Sequence, residues 1–212
     1  MMGKTHLAGV IFVYGALNSF VPQLVPPLVV GQVAVPGLVP GLPLAILAGM
    51  LPDIDEEHSW ISNPRDRVPI IGPVLQIIAQ AVAFVLNRLP IIRRVIGHRT
   101  ITHSGLALLV MGLLALRWEQ HFHSLLLLAP LVGYGTHLIL DGLTPAGVAL
   151  FWPLPVRVRF AVTFPSRGAM NSFLHLLFLA GIAWLVYRTV AATSPWQLPG
   201  SLHDIPFFKP LQ

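Results

Sequence analysis

Six apolar runs separate the polar positions of this chain: residues 5–21, 38–51, 70–88, 101–117, 124–140 and 171–188. Most have the length of a membrane-crossing helix. The run at 38–51 is short, because a helix of that length reaches only about 21 Å against a hydrocarbon core of roughly 30 Å. It follows an apolar stretch broken by Pro22, Pro26, Pro27, Pro36, Pro40 and Pro43, which no straight helix accommodates. That stretch is expected to be irregular, to lie at the membrane surface and to extend the short span. The first run, preceded by Lys4, has the look of a secretion signal. Yet no convincing small-residue cleavage site stands near Asn18 and Ser19, and His6 lies inside the run, so the segment is expected to be retained.

Polar residues gather at the ends of these runs and supply a topology test. His6 opens the first run, and Asp53 and Asp55 close the second. His98 and His103 open the run at 101–117, and His137 and Asp141 close the run at 124–140. If 70–88 crosses the bilayer, the first two groups face one side and the last two the other. If it lies along the surface or re-enters, all four share a side. Six spans divide the Lys and Arg residues six against seven, which orients nothing. Five spans divide them ten against three, a clear positive-inside bias. The run at 70–88 also carries Gln76, Gln80 and Asn87 and is flanked by Pro69, Pro73 and Pro90, which suits an interfacial or re-entrant helix. The expected fold is therefore an all-α integral membrane protein, one membrane domain over residues 1–212. It has about five transmembrane helices plus the interfacial helix at 70–88, with the N-terminus cytoplasmic; six spans are the alternative.

Composition agrees. Charged residues make up 10% of the 212-residue chain and mean hydropathy is +0.75. A soluble domain carries roughly 25% charge, so this chain cannot cover a soluble globule. The absence of cysteine excludes disulfides, thiolate-ligated metals and thiol nucleophiles. A net charge of +5 is read as topology signal and headgroup contact, and no specific nucleic-acid binding is expected. Nine histidines beside so few charges are the remaining oddity.

Placing those histidines exposes candidate chemistry. In Leu51-Pro52-Asp53-Ile54-Asp55-Glu56-Glu57-His58, Pro52 favours an extended turn at the residue before it. Residues two apart in extended chain point the same way, so Asp53 and Asp55 can converge on one cation or bridge two. In Gly97-His98-Arg99-Thr100-Ile101-Thr102-His103-Ser104, the two histidines would lie about 140° apart on a regular helix. A helix starting near Thr102, with His98 in the preceding turn, lets both approach one site. Arg99 would then offer a bidentate donor to a phosphate or carboxylate. His137 and Asp141, four apart, share a helix face and form a chelating pair at the end of an apolar helix. His121 and His123 are expected to be solvated, His175 to sit near the cytoplasmic end of the last span, and Asn18 and Asn171 to pack or cap helices.

These pieces resemble the YdjM-type membrane-bound, metal-dependent hydrolases, also described as LexA-binding, inner-membrane-associated hydrolases. The matching pieces are Thr5-His6, Leu51-Pro52-Asp53-Ile54-Asp55, His98-Arg99 through Thr102-His103-Ser104, and His137-Leu138-Ile139-Leu140-Asp141 followed by Thr144 and Gly147. They run in order from about residue 4 to residue 160. The resemblance implies a multi-span protein of a bacterial or archaeal cytoplasmic membrane and a metal-dependent hydrolase. It implies His6, Asp53, Asp55, His98, His103, His137 and Asp141 as the polar set. Glu56-Glu57-His58 departs from the pattern, in which a histidine is expected sooner after Asp55.

Mixed histidine and carboxylate ligation suits Zn²⁺, Mn²⁺ or Fe²⁺. Seven candidate ligands exceed the need of one tetrahedral ion, so one or two ions are expected. Arg99 would neutralise developing phosphoryl charge, with Glu56 or His58 moving the proton. Arg93, Arg94, Arg157 and Arg159 would attract anionic headgroups, so the expected partners are membrane lipids and the expected substrate is a phospholipid or another amphiphilic phosphoester. The competing reading is a metal-ion or proton-coupled transporter, or a metal-sensing membrane protein. A transport pathway should spread ionisable groups through the bilayer depth, whereas here they gather on one side. Haem ligation by paired histidines would need no aspartates.

Overall fold

The computed structural model describes residues 3–30, 32–53, 101–122 and 125–193. The run at 70–88 and the residues Asp55, Glu56, His58, His98 and Arg99 lie outside them. Five helices dominate: α1 Gly3–Phe20, α2 Leu38–Met50, α3 Gly105–Phe122, α4 Leu128–Gly142 and α5 Ala169–Thr193. They coincide with five of the six apolar runs. The proline-rich stretch between α1 and α2 is irregular as expected. It forms a 3₁₀ turn at Pro22–Leu24 and two short antiparallel strands, β1 Leu28–Val30 and β2 Val33–Val35, with Val29 opposite Ala34. Helix α2 still admits Pro43 in its second turn.

One boundary differs from expectation. The chain at 101–103 is a 3₁₀ turn, and α3 begins only at Gly105. Ser104 sets this boundary: its Oγ accepts from the Ala107 amide at 3.2 Å, the bond that caps a helix N-terminus. The Gly105 amide is drawn away to the Leu150 carbonyl at 2.8 Å.

Helix α2 packs closely on α4, α1 on α2, α4 and α5, and α3 on α4. Small residues permit these crossings. A Cβ on Gly133 would fall on the Ala45 carbonyl, and one on Gly41 would fall on the Tyr14 hydroxyl. Such close approach replaces the hydrophobic drive that helices lack toward each other in lipid. Val10, Tyr14, Val25, Ala45 and Ala129 form one core cluster, and Ala48, Tyr134, Leu138 and Val148 a second.

Among the described residues, two helical segments have the length and apolarity of a bilayer crossing, Leu125–Gly142 and Ala169–Ala192. The expected count of five is not reached among them. Polar residues at the ends of α1 (Lys4, His6) and α3 (Arg117, Glu119) dilute their hydropathy, and α2 is short. The outside of the fold is nonetheless rich in carbon: Leu113, Leu114, Phe173, Leu176 and Val186 are all more than half exposed. The fully buried side chains are largely polar, among them His6, His103, His137, Asn171 and Asp141. This distribution inverts that of a water-soluble core.

Candidate metal centre

Helix ends converge at one pole of the fold. His6 lies at the end of the first turn of α1, Asp53 in the 3₁₀ turn Leu51–Asp53 that follows α2, His103 in the turn before α3, and His137 and Asp141 in the last turns of α4. Each position follows from local structure. Pro52 discourages a helical Leu51, but the chain there tightens into a 3₁₀ turn rather than the expected extended one. Ser104 stops α3 from starting at His103. The carbonyl of Asp141 accepts from the Thr144 amide at 2.9 Å and from its hydroxyl at 2.7 Å, which closes α4 just beyond Asp141.

Asp53, His103, His137 and Asp141 each present one donor atom, and the four lie within 4.8 Å of one another. His103 Nε2 is 3.5 Å from Asp53 Oδ1 and 3.4 Å from Asp141 Oδ2. His137 Nε2 is 3.6 Å and 3.7 Å from the same two oxygens. A tetrahedral ion with bonds of about 2.0–2.1 Å sets its ligand atoms roughly 3.3–3.4 Å apart. The spacing therefore fits a small divalent cation.

Orientation supports the fit. His137 Nδ1 is 2.7 Å from the Gly49 carbonyl, which can only accept, so Nδ1 donates there and Nε2 is the nitrogen turned to the carboxylates, the one that would ligate an ion. That buried Nε2 has no hydrogen-bond partner among the described residues. A bare imidazole nitrogen aimed at two carboxylates is what a metal ligand needs. Nδ1 of His103 is 3.2 Å from the Thr102 hydroxyl, and the Tyr134 hydroxyl donates to the Thr102 carbonyl, anchoring that turn to α4. Asp53 is 23% exposed whereas the other three donors are fully buried, so the centre opens on the Asp53 side.

His6 stands apart from the four donors. Its Nε2 is 3.2 Å from Asp141 Oδ1, the carboxylate oxygen turned away from the centre, and its ring stacks on His137 with centroids 3.9 Å apart. It braces two donors at once.

Asp53 sits in the turn beyond the end of α2. Burial opposes its ionisation, but the hydrogen bond from His103 and the fields of His137 and His6 outweigh it and hold the carboxyl at about 2.

The structure thus brings together Asp53, His103, His137 and Asp141, with His6 beside them. The supporting residues Gly49 and Tyr134 escaped the sequence reading, which took Thr102 only as a helix start and part of the motif. Tyr134 had a signal, standing three residues before His137 on the same helical face. Gly49 had none, because it acts through its carbonyl. Asn171, expected to pack or cap, is fully buried in the first turn of α5 with no hydrogen-bond partner among the described residues. His121 is exposed and His175 half-buried.

Residues 1–195 match the family described as YdjM inner membrane protein. The chain is 34% identical over 151 residues to the inner membrane protein YdjM of Escherichia coli (strain K12), covering 69% of this chain and 65% of that protein. The same figures hold for the inner membrane protein YdjM of Shigella flexneri. The match thus spans just under two thirds of the length of these relatives. The uncharacterized protein YvsG of Bacillus subtilis (strain 168) is 30% identical over 118 residues, covering 53% of this chain and 69% of that protein. No solved structure matches the chain.

Proposed function

The chain belongs to the YdjM inner membrane protein family, and from that premise we propose that it is a metal-dependent hydrolase of the cytoplasmic membrane, acting on a phospholipid or another amphiphilic phosphoester. The observation that carries this reading is the four-donor cluster of Asp53, His103, His137 and Asp141. Burying two carboxylates and two imidazoles under apolar helices is costly without a compensating charge, and a divalent cation supplies one. Mixed nitrogen and oxygen donors suit Zn²⁺, Mn²⁺ or Fe²⁺, and a single ion satisfies the four. Bound there, the ion supplies Lewis acidity for activating water and neutralising phosphoryl charge.

The protein's own residues have distinct tasks. Asp53, His103, His137 and Asp141 hold the ion, and His6 orients Asp141 through its outer oxygen. Substrate approaches from the Asp53 side, where the cluster is least covered. Water adds to phosphorus, the phosphorus–oxygen ester bond breaks, and the leaving alcohol takes up a proton. Glu56 or His58 is assigned to that proton and Arg99 to the phosphoryl oxygens. The topology belonging to this reading has five spans, the helix at 70–88 along the cytoplasmic surface, and the N-terminus in the cytoplasm. All described donors lie at one pole and not along the depth of the bundle, which favours an enzyme over a transport pathway.

Metal analysis of the purified protein tests the assignment. About one transition-metal ion per chain is expected for a single four-donor site, and His137→Ala and Asp141→Ala should each release it and abolish hydrolysis of phosphatidic acid in mixed micelles. Full metal retention by both variants overturns the ligand set. The absence of cysteine makes topology equally accessible. Cysteines introduced at Lys4 and Arg94 should label from the same side of the membrane, and labelling from opposite sides overturns the five-span arrangement.

A further inference from the structure

A cleft of about 210 Å³ opens between α3, α4 and the segment that follows α4. Leu108 of α3, Leu138 and Ile139 of α4, and Leu150 and Phe160 of the following segment wall it with carbon. Arg159 is the one charged residue among the described residues that line it. Leu138 and Ile139 directly follow the donor His137, but at about 100° per residue the cleft residues Gly135, Leu138, Ile139 and Gly142 face roughly 130° away from His137 and Asp141, so the cleft and the four donors lie on different faces of α4.

The segment after α4 is firmly placed. The Phe160 amide donates to the Gly142 carbonyl at 3.0 Å and that of Phe164 to the Leu143 carbonyl at 2.8 Å, using carbonyls left free at the helix end. Val148 and Val158 exchange two backbone bonds, and an Arg157 guanidinium nitrogen donates to the Ala146 carbonyl at 3.3 Å. Its outer surface mixes exposed Phe151, Leu154, Val156 and Val162 with exposed Arg157 and Arg159. Apolar and guanidinium groups side by side suit the headgroup layer of a bilayer.

We propose that this cleft seats one acyl chain of an anionic glycerophospholipid, with the lipid phosphate against Arg159. Charge complementarity selects the anion, and the carbon walls select the chain. A volume of about 210 Å³ leaves no room for a partner helix, whose diameter is about 10–12 Å. The fate of the seated lipid rests on the hydrolase reading above; the seat itself does not.

Gly135 gives the test a clean handle. It lines the cleft, and a Cβ built on it meets no described atom within 4 Å, so a larger side chain there fills the cleft without clash. The full chain is placed in phosphatidylcholine nanodiscs doped with a non-hydrolysable phosphonate analogue of phosphatidic acid carrying a diazirine at the end of one chain. After irradiation, adducts are mapped by peptide mass spectrometry. Adducts are expected on Leu108, Leu138 or Leu150, and roughly tenfold fewer with a diacylglycerol of the same chains, which lacks the anion. Gly135→Leu should abolish them with metal content unchanged, and Arg159→Gln should bring the phosphonate down to the diacylglycerol level. Equal labelling by both lipids, or labelling untouched by Gly135→Leu, overturns the seat. Since labelling needs no turnover, a lipid that occupies the cleft but is never hydrolysed counts against the hydrolase reading alone. Phosphatidic acid hydrolysis undiminished by Gly135→Leu counts only against the seated lipid being the one hydrolysed, and leaves the labelling to decide the seat.

Discussion

Helices α4 and α5 are both long and apolar enough to cross a bilayer, yet they meet opposite surroundings. Half of the α4 segment is buried inside the protein, against 11% of the α5 segment. Helix α4 touches α1, α2 and α3, and it carries glycines and threonine on its contact faces and two ionisable donors at its end. Among the described residues α5 buries only Asn171 and Leu185 and turns most of its large apolar side chains outward. The difference separates two roles that hydropathy alone merges. One helix turns outward and carries mostly carbon there, whereas the other faces protein and can therefore hold polar chemistry.

The comparison breaks first at its tightest contact. Gly133→Leu on α4 would drive a side chain into the Ala45 carbonyl. Overpacking against side chains costs roughly 1–3 kcal/mol, and a backbone atom yields less readily. The variant should lose its monodisperse peak in detergent size-exclusion chromatography. A well-behaved Gly133→Leu protein would show that α2 and α4 do not cross where described.

Helix α5 offers the next test. Leu179 is 45% exposed near the middle of the helix. If that face meets lipid, Leu179→Arg should disfavour insertion by about 2.5–3.5 kcal/mol, whereas Leu179→Ala stays far milder. A glycosylation-reporter insertion assay reads the difference. Equal insertion of the two variants would mean that α5 faces water or protein there.

The smallest effect sharpens the metal centre. His6 braces Asp141 from the outer oxygen and does not join the four donors, so His6→Ala should weaken metal binding by about 10–100-fold without abolishing it. Competition with a chelator of known affinity measures this. Complete metal loss would make His6 a direct ligand, and an unchanged affinity would remove it from the centre altogether.

Much of this arrangement was legible in the residues. Apolar runs located all five described helices to within a few residues, because a helix in lipid needs an unbroken stretch of carbon-rich side chains. The i, i+4 spacing of His137 and Asp141 placed them on one face, and the positive-inside count argued that four polar groups share a side. The helix start at Gly105 was less legible, since it depends on one Ser104 hydroxyl and on the distant Leu150 carbonyl. The cleft at Arg159 was not legible at all, because its walls come from three segments whose proximity no spacing announces.

The sequence by itself determined that the chain is membrane-like, where its apolar helices fall, and which few polar residues stand at their ends. Periodicity and composition are local properties, and helices in lipid obey them closely. Only the tertiary structure decided that Asp53, His103, His137 and Asp141 form one four-donor set while His6 stands behind it. That choice depends on which oxygen of Asp141 each imidazole faces and on the Gly49 carbonyl that holds the His137 proton. Those relations arise when helix ends distant in the chain are packed within bonding reach, and no single segment encodes them.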